Sequence, residues 1–242
     1  MARKKKDKPR VFCIGWHKTG TTTLGLALLD LGYDVLGARL DMAEPLLEGD
    51  RETAVSLAGN FDAVQDVPWA ALFKELDAAY PGSKFILTVR EEESWLNSAK
   101  KHFKDSYVGV HEWLYGNGVL QGNEELYLER FRKHNRDVRD YFQDRGDDLL
   151  EMDLIGGDTW EKLCPFLNEP VPQKAFPYEN KGKHRYTPKD KMKTLLRSLV
   201  PKPLRRWRVN TLEKRGLHYG LNRFNNHPIN MEWREKEAAE RK

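Results

Sequence analysis

The sequence predicts an α/β domain in which helices cover both faces of a parallel β-sheet. Short runs of apolar and β-forming residues alternate along the chain with longer stretches of helical spacing. Such alternation is typical of a parallel sheet, because each helix carries the chain back across one face. The predicted strands are residues 11–14, 61–66, 84–89 and 148–152, and the predicted helices are 21–31, 69–80, 91–103, 124–145 and 159–167.

The first predicted strand is the apolar run Val11–Ile14, which ends at Gly15. A run this short and apolar is typical of a strand buried on both faces. Helical spacing of leucine and alanine begins after Gly20 and stops at Gly32, a residue type that commonly ends helices. A strand, a glycine-containing loop and a helix are therefore expected between residues 11 and 32.

The later elements are bounded in the same way. Pro68 closes the second predicted strand, and Pro81 with Gly82 breaks the helix that follows. In parallel sheets the ligand binds beyond the carboxyl ends of the strands. The sequence therefore predicts chemistry just after Ile14, Gln65 and Val89.

Charge is strongly segregated along the chain. Residues 1–10 hold six basic residues and one acidic residue, and residues 181–242 hold 18 basic and six acidic residues. Residues 11–180 hold 17 basic and 30 acidic residues. An acidic body with two basic ends is the result, and the plain interpretation of the basic ends is solvated surface.

Cysteine content indicates a reducing environment, and the hydropathy pattern indicates that no segment spans a membrane. The two cysteines are too few for a disulfide framework. The chain has no run approaching the ~20 apolar residues that span a bilayer. We therefore expect a cytoplasmic protein without a transmembrane segment.

The loop Gly15–Thr22 has the context of an anion site, because it follows a strand and opens a helix. Its glycine spacing is that of the nucleoside-triphosphate loop G-x-x-x-x-G-K-[ST]. Thr21 occupies the lysine position of that motif, however, and the lysine of this loop is Lys18. This placement argues against ATP or GTP as the donor.

The segment Lys18-Thr19-Gly20-Thr21-Thr22 resembles the 5′-phosphosulfate loop of sulfotransferases that use 3′-phosphoadenosine 5′-phosphosulfate (PAPS). The resemblance implies a P-loop-like three-layer fold. It also implies that Lys18 neutralises charge on the leaving oxygen and that Thr19, Gly20, Thr21, Thr22 and Thr23 lie at the donor. Many family members carry tryptophan near the adenine where this chain has Thr23.

Arg90 ends the third predicted strand, and Ser98 lies two helical turns further on. Both side chains can therefore converge on one anion. In sulfotransferases such a pair holds the 3′-phosphate of the donor. The alternative is a surface ion pair between Arg90 and the acidic residues 91–93.

Asp66 ends the second predicted strand, where the family places its catalytic base. The resemblance implies that Asp66 takes the proton of the acceptor. The alternative is a helix N-cap, since an acidic residue before Val-Pro commonly opens a helix. We expect His17 to be a loop residue and not a catalyst.

The resemblance extends to about residue 185. The segment Trp160–Leu167, followed by Phe-Pro and then Asn180, is similar to a broad, mostly microbial branch of the superfamily. Family members close a basic glycine-containing element over the 3′-phosphate. The corresponding residues here are Asn180, Lys181, Gly182 and Lys183, and the alternative is a solvated basic linker.

The predicted organisation is a basic arm at 1–10, a sulfotransferase catalytic domain at 11–185 and a basic, mainly helical extension at 186–242. The extension mixes leucine and tryptophan with lysine and arginine. This composition suits a membrane-surface helix, a lid, an oligomer contact or an arm packed on the acidic body.

The predicted function is transfer of a sulfuryl group from PAPS to a hydroxyl or amine of a small molecule or glycan, releasing 3′-phosphoadenosine 5′-phosphate (PAP). No metal and no nucleic acid are expected to take part. The alternatives are a P-loop kinase or NTPase, and a non-catalytic nucleotide or nucleic-acid binder that uses the basic extension.

Overall fold

A computed structural model describes residues 8–178 of the 242-residue chain. Within that range eight α-helices surround a five-stranded sheet. The strands are β1 Val11–Cys13, β2 Val35–Leu36, β3 Ala63–Gln65, β4 Lys84–Thr88 and β5 Leu149–Met152. The helices are α1 Thr21–Asp30, α2 Ala43–Leu47, α3 Glu52–Ala58, α4 Phe73–Ala79, α5 Glu92–Phe103, α6 Gly109–Tyr115, α7 Glu124–Tyr141 and α8 Trp160–Leu167. Short 3-10 turns span Leu40–Met42 and Trp69–Leu72.

The sheet has the strand order β2-β3-β1-β4-β5, and all its strand pairs are parallel. The predicted α/β class with a central parallel sheet is therefore confirmed. All five carboxyl ends lie at one edge of the sheet. The edge strand β2 has only two residues, which is too short for a sequence pattern to reveal.

The sheet is the middle layer of three. Alternate side chains of a strand point to opposite faces, so β1 sends Phe12 into one core and Val11 with Cys13 into the other. Helices α2 to α7 contribute to the first core, and α1 and α8 contribute to the second. This arrangement buries β1, β2 and β3 and all of β4 except Lys84, whereas the edge strand β5 is half-buried up to Met152.

Two predicted helices are shorter in the structure. The stretch 69–80 divides into a 3-10 turn and α4, and α7 stops at Tyr141 and not at Arg145. Beyond α7, the Arg145 N–H donates to the carbonyl of Phe142 (2.9 Å), which makes a tighter turn than the helical pattern. Within the part of the chain that the structure describes, no helix has the length and apolar character needed to cross a membrane. The extension at 186–242 lies outside the described residues.

Candidate functional site

A cavity of about 1090 Å³ lies at the carboxyl edge of the sheet. Each of the five strands is followed by a segment that lines it, as expected for a parallel α/β sheet. Among the predicted site residues, the cavity is lined by Lys18, Gly20, Thr21, Thr22, Thr23, Asp66, Arg90 and Ser98. The structure therefore brings together residues that the sequence places after three different strands.

The loop after β1 is held by side chains that bind its carbonyl groups. The Trp95 indole donates to the His17 carbonyl (2.8 Å), and Arg90 Nη1 donates to the Lys18 carbonyl (3.0 Å). The Thr19 hydroxyl donates to the Trp16 carbonyl (2.5 Å). These bonds fix the peptide planes of the loop before any ligand binds, and fixed backbone groups are what a preorganised anion site requires.

Thr19 supports the loop from behind and does not line the cavity. Its side chain is completely buried, and its hydroxyl also bonds that of Thr88 on β4 (2.5 Å). A contact between Thr19 and a ligand would therefore involve its backbone.

Two glycines allow the close packing of this loop. A Cβ on Gly15 would lie 1.8 Å from the Thr88 hydroxyl oxygen, so only glycine fits between β1 and β4. Gly20 has φ +103°, and a Cβ there would lie 3.0 Å from the Leu154 side chain. Gly20 immediately precedes α1, which therefore starts at the cavity with its free N–H groups.

Lys18 and Asp66 lie at the ends of neighbouring strands and share an unusual backbone conformation. Their φ angles are +67° and +71°, a left-handed region that non-glycine residues rarely adopt. Both side chains line the cavity and interact electrostatically. Burial lowers the pKa of Lys18, with Asp66 opposing and Arg90 reinforcing that shift.

The carboxylate of Asp66 does not cap a helix, so the N-cap alternative is wrong. The 3-10 turn that follows starts after Pro68 and has no side-chain cap. Asp66 Oδ2 instead accepts from the Thr21 hydroxyl (2.8 Å), and Oδ1 accepts from the Val67 N–H (2.8 Å). Burial raises the pKa of the Asp66 carboxyl, against opposing effects of these two donors and of Lys18.

Arg90 lies over the loop with its guanidinium already anchored. Besides its bond to Lys18, it donates from Nε to the Ser94 hydroxyl (2.9 Å), one turn of α5 before Ser98. Glu91 accepts from the N–H groups of Glu93 and Ser94 at the start of α5 (2.7 Å each). Arg90 and Ser98 both line the cavity, and Ser94 is a partner of Arg90 that the sequence did not indicate.

His17 lines the cavity within a buried aromatic cluster. The Trp16 indole donates to the Tyr115 hydroxyl oxygen, and Tyr115 and His17 Nε2 are 2.9 Å apart. The Tyr115 hydroxyl therefore links the Trp16 indole to the His17 ring, and the tautomer of His17 sets which of the two atoms, Tyr115 Oη or His17 Nε2, is the donor. Burial holds the pKa of His17 well below its ordinary value, with nearby His111, Lys18 and His102 adding to the effect.

Two cavity-lining side chains keep a buried polar atom without a partner among the described residues. These atoms are His17 Nδ1 and Gln65 Oε1, next in sequence to Lys18 and Asp66 respectively. Nearly all buried polar atoms in proteins are hydrogen-bonded.

Sequence reasoning did not identify Leu154, Ile155 and Tyr178 as site residues. All three line the cavity, and Ile155 and Tyr178 are 57% and 51% exposed, which is high for large apolar side chains. They follow β5 or lie at the end of the described chain, where no motif marks them. Asn180, Lys181, Gly182 and Lys183 lie outside the described residues.

Comparison with known proteins identifies the family. The model of the sulfotransferase domain matches residues 10–115 and 106–185, which together cover most of the chain. The Ava biosynthesis cluster protein M of Aspergillus versicolor is 28% identical over 214 residues, an alignment that covers 70% of this chain and 80% of that protein. With its parallel sheet and its cavity at the carboxyl edge, this chain belongs to the sulfotransferase domain family.

Proposed function

We propose that the protein transfers a sulfuryl group from PAPS to a hydroxyl or amine of an acceptor by in-line displacement. The observation that carries this proposal is the convergence of Lys18 and Asp66 in one cavity, at the ends of the adjacent strands β1 and β3. A cation and a carboxylate at that point supply the two functions the reaction needs. One stabilises the leaving oxygen and the other takes the acceptor's proton.

The donor would bind over β1, β4 and β5. Thr21 and Thr22 and the start of α1 would hold the 5′-phosphate, and Arg90 with Ser98 would hold the 3′-phosphate. Ile155 and Tyr178 offer exposed apolar surface on the same side of the cavity for the adenine, in place of a tryptophan at position 23. Asn180 to Lys183 would complete the 3′-phosphate site.

In the transfer step, the acceptor oxygen or nitrogen forms a bond to sulfur while the bond from sulfur to the 5′-phosphate oxygen breaks. Lys18 would stabilise the charge that develops on that phosphate oxygen. Asp66 would accept the acceptor's proton as the new bond forms. Because the sulfuryl group carries less charge than a phosphoryl group, we propose no metal in this step.

Donor specificity tests the proposal directly. We expect calorimetry to show tighter binding of PAP than of 5′-AMP, ATP–Mg²⁺ or an oligonucleotide. Arg90→Ala should weaken PAP binding by roughly 10- to 100-fold, because a hydrogen bond to a charged group contributes about 1.5–3 kcal/mol. Arg132→Ala is the matched control, since Arg132 is partly exposed on α7 and pairs with Glu92 and Glu125. Equal affinity for PAP and 5′-AMP would contradict the donor assignment.

A further inference from the structure

The cavity has two chemically different ends. The end over β1, β4 and β5 is polar and includes Lys18, Arg90, Asn97 and Ser98. The opposite end lies beside β2 and β3 and includes Ala38, Leu40, Val67, Phe103, Val108 and His111, with the polar residues Lys101, His102 and Ser106 at its rim on the same segment as Phe103. We call this second region the apolar end. Asp66 lies at the boundary, because it directly precedes Val67.

Three distant segments of the chain build the apolar end. Helix α6, which carries His111, packs against α2 and against the Leu40–Met42 turn after β2. The Arg39 N–H donates to the Val67 carbonyl (2.9 Å) and joins that turn to the end of β3. These contacts make the apolar end a part of the folded core and not an exposed loop.

Aromatic rings form one wall of the apolar end. The ring of Phe103 lies edge-on to those of His111 (4.5 Å) and His17 (4.9 Å), and the two imidazoles stack 4.9 Å apart. Burial lowers the pKa of His111 to about 3. Both imidazoles are therefore neutral at physiological pH, so the rings of Phe103, His111 and His17 form an uncharged aromatic surface, which His102 flanks with its ring 4.8 Å from that of Phe103. Aromatic ligands pack favourably against such surfaces in edge-to-face and offset geometries.

We propose that the apolar end is the acceptor site and that its substrate is an uncharged aromatic hydroxyl compound, a phenol. This inference rests on the proposed sulfuryl transfer and specifies its substrate class. The apolar body of the acceptor would contact Leu40, Phe103 and Val108. Its hydroxyl would face Asp66, where the polar side chains of Gln65 and His17 also line the cavity.

The chemistry of Asp66 favours the same class. A phenol loses its proton with a pKa of about 10, whereas water has a pKa of about 15.7 and aliphatic alcohols are comparably weak acids. A carboxylate is a weak base, so it assists a phenol far more readily than an alcohol. In the step, the phenol O–H bond breaks and its proton passes to Asp66. The phenolic oxygen bonds to sulfur, and the 5′-phosphate oxygen of PAP leaves with the electron pair of the broken S–O bond.

A matched pair of acceptors tests the class. Transfer from labelled PAPS would be measured with 2-naphthol and with its saturated analogue decahydro-2-naphthol, with glucose and 2-naphthylamine as further acceptors. We expect kcat/KM for 2-naphthol to exceed that for each of the others by at least ~100-fold, the scale of a general-base contribution. The phenol assignment is wrong if decahydro-2-naphthol, glucose or 2-naphthylamine reacts as well as 2-naphthol, or if 2-naphthol does not react. In either case, binding of PAP would show that the donor assignment still stands. Failure of PAP to bind would instead overturn the proposed function.

Two variants separate the two ends of the cavity. Phe103→Ala should raise KM for 2-naphthol by about 10-fold, the loss expected for one aromatic contact and its buried area, with the affinity for PAP retained. Ile155→Ala, at the polar end, should weaken PAP binding with little change in KM for 2-naphthol. The opposite pattern, or equal effects of both variants on both ligands, would show that the acceptor does not occupy the apolar end.

Discussion

Asp66 combines a buried carboxylate with a backbone conformation that few residue types tolerate. Asparagine adopts positive φ more readily than alanine does, because its short polar side chain bonds locally. Asp66→Asn therefore keeps the backbone unstrained and removes only the basic carboxylate. Asp66→Ala removes the carboxylate and places a strained residue at φ +71°.

We expect Asp66→Asn to lower turnover by ~10²–10⁴-fold if Asp66 is the general base. Its thermal stability at neutral pH should equal or exceed that of the wild type, because a desolvated charge is removed. Asp66→Ala should lose the same activity and also about 1–2 kcal/mol of stability from backbone strain. Thermal denaturation and steady-state rates measure both effects, and calorimetry with PAP checks that the donor site is intact. An Asn variant with near-normal turnover would show that Asp66 is not the base.

The pKa shifts of Asp66 and Lys18 make a prediction about pH. The Asp66 pKa is raised, so its active carboxylate is lost at a higher pH than for an ordinary aspartate. The Lys18 pKa is lowered, so its active ammonium is lost at a lower pH than for an ordinary lysine. The profile of kcat/KM should therefore be a bell with both limbs moved towards neutrality. Asp66→Asn should abolish the acid limb, which rate measurements across pH would show.

The raised pKa of Asp66 also affects stability. A folded-state pKa above the unfolded value means that the folded protein binds this proton more tightly. The Asp66 contribution therefore favours folding at low pH and is lost as the pH rises through its folded pKa. As the pH rises from the unfolded to the folded pKa of Asp66, the wild type should lose stability relative to Asp66→Asn. The unfolding free energy of Asp66→Asn minus that of the wild type should therefore grow with pH. A constant difference would mean that the Asp66 pKa is unchanged by folding.

At the scale of elements, α6 connects the apolar end to the loop of Lys18. Its last residue, Tyr115, bonds both Trp16 and His17 through one hydroxyl. The neighbouring Tyr127 of α7 stacks on Tyr115 at 3.6 Å and uses its own hydroxyl on the Asn117 carbonyl (2.8 Å). The two tyrosines thus pack in the same environment. The Tyr115 hydroxyl bonds to the loop after β1, and the Tyr127 hydroxyl bonds to Asn117.

This pair offers a matched test of whether α6 positions the loop. Tyr115→Phe leaves the Trp16 indole N–H and His17 Nε2 unpaired, a cost of about 1–3 kcal/mol for each group that remains buried without a partner. We expect Tyr115→Phe to weaken PAP binding about 10-fold. A shift of the loop around His17 should remove on the order of one hydrogen bond between the loop and PAP. Tyr127→Phe should reduce thermal stability to a similar degree but leave the affinity for PAP unchanged. Equal effects of the two variants on PAP binding would mean that Tyr115 has only a structural role.

At the scale of the whole molecule, the match to the sulfotransferase domain ends at residue 185, where the basic extension begins. The residues proposed to bind the donor lie before that point. A chain truncated after Arg185 should therefore keep its affinity for PAP, while acceptor choice or self-association changes. Calorimetry with PAP and light scattering would measure the two properties. If a folded truncated protein no longer bound PAP, the extension would be part of the donor site.

Local patterns in the sequence were sufficient to predict the strands, the loop and the helices that surround the proposed donor site. The central strands β1, β3 and β4 were predicted from short runs of mostly buried, β-forming residues, and the half-buried edge strand β5 was predicted from the run that ends at Met152. The glycine-containing loop was predicted from its place between β1 and α1. That Arg90 and Ser98 line one cavity follows from helix geometry, which sequence spacing specifies directly.

Only the tertiary structure decided the rest of the site. The order β2-β3-β1-β4-β5 brings the segments after β2 and β3 beside α6, and no local pattern encodes that neighbourhood. The positive φ of Asp66, the bond from Arg90 to Ser94 and the exposed Ile155 and Tyr178 beside the loop likewise depend on partners elsewhere in the chain. The physical reason is that periodicity and spacing report burial and hydrogen bonding along one element. A cavity is formed by side chains of several elements, so its chemistry is specified only when those elements pack together.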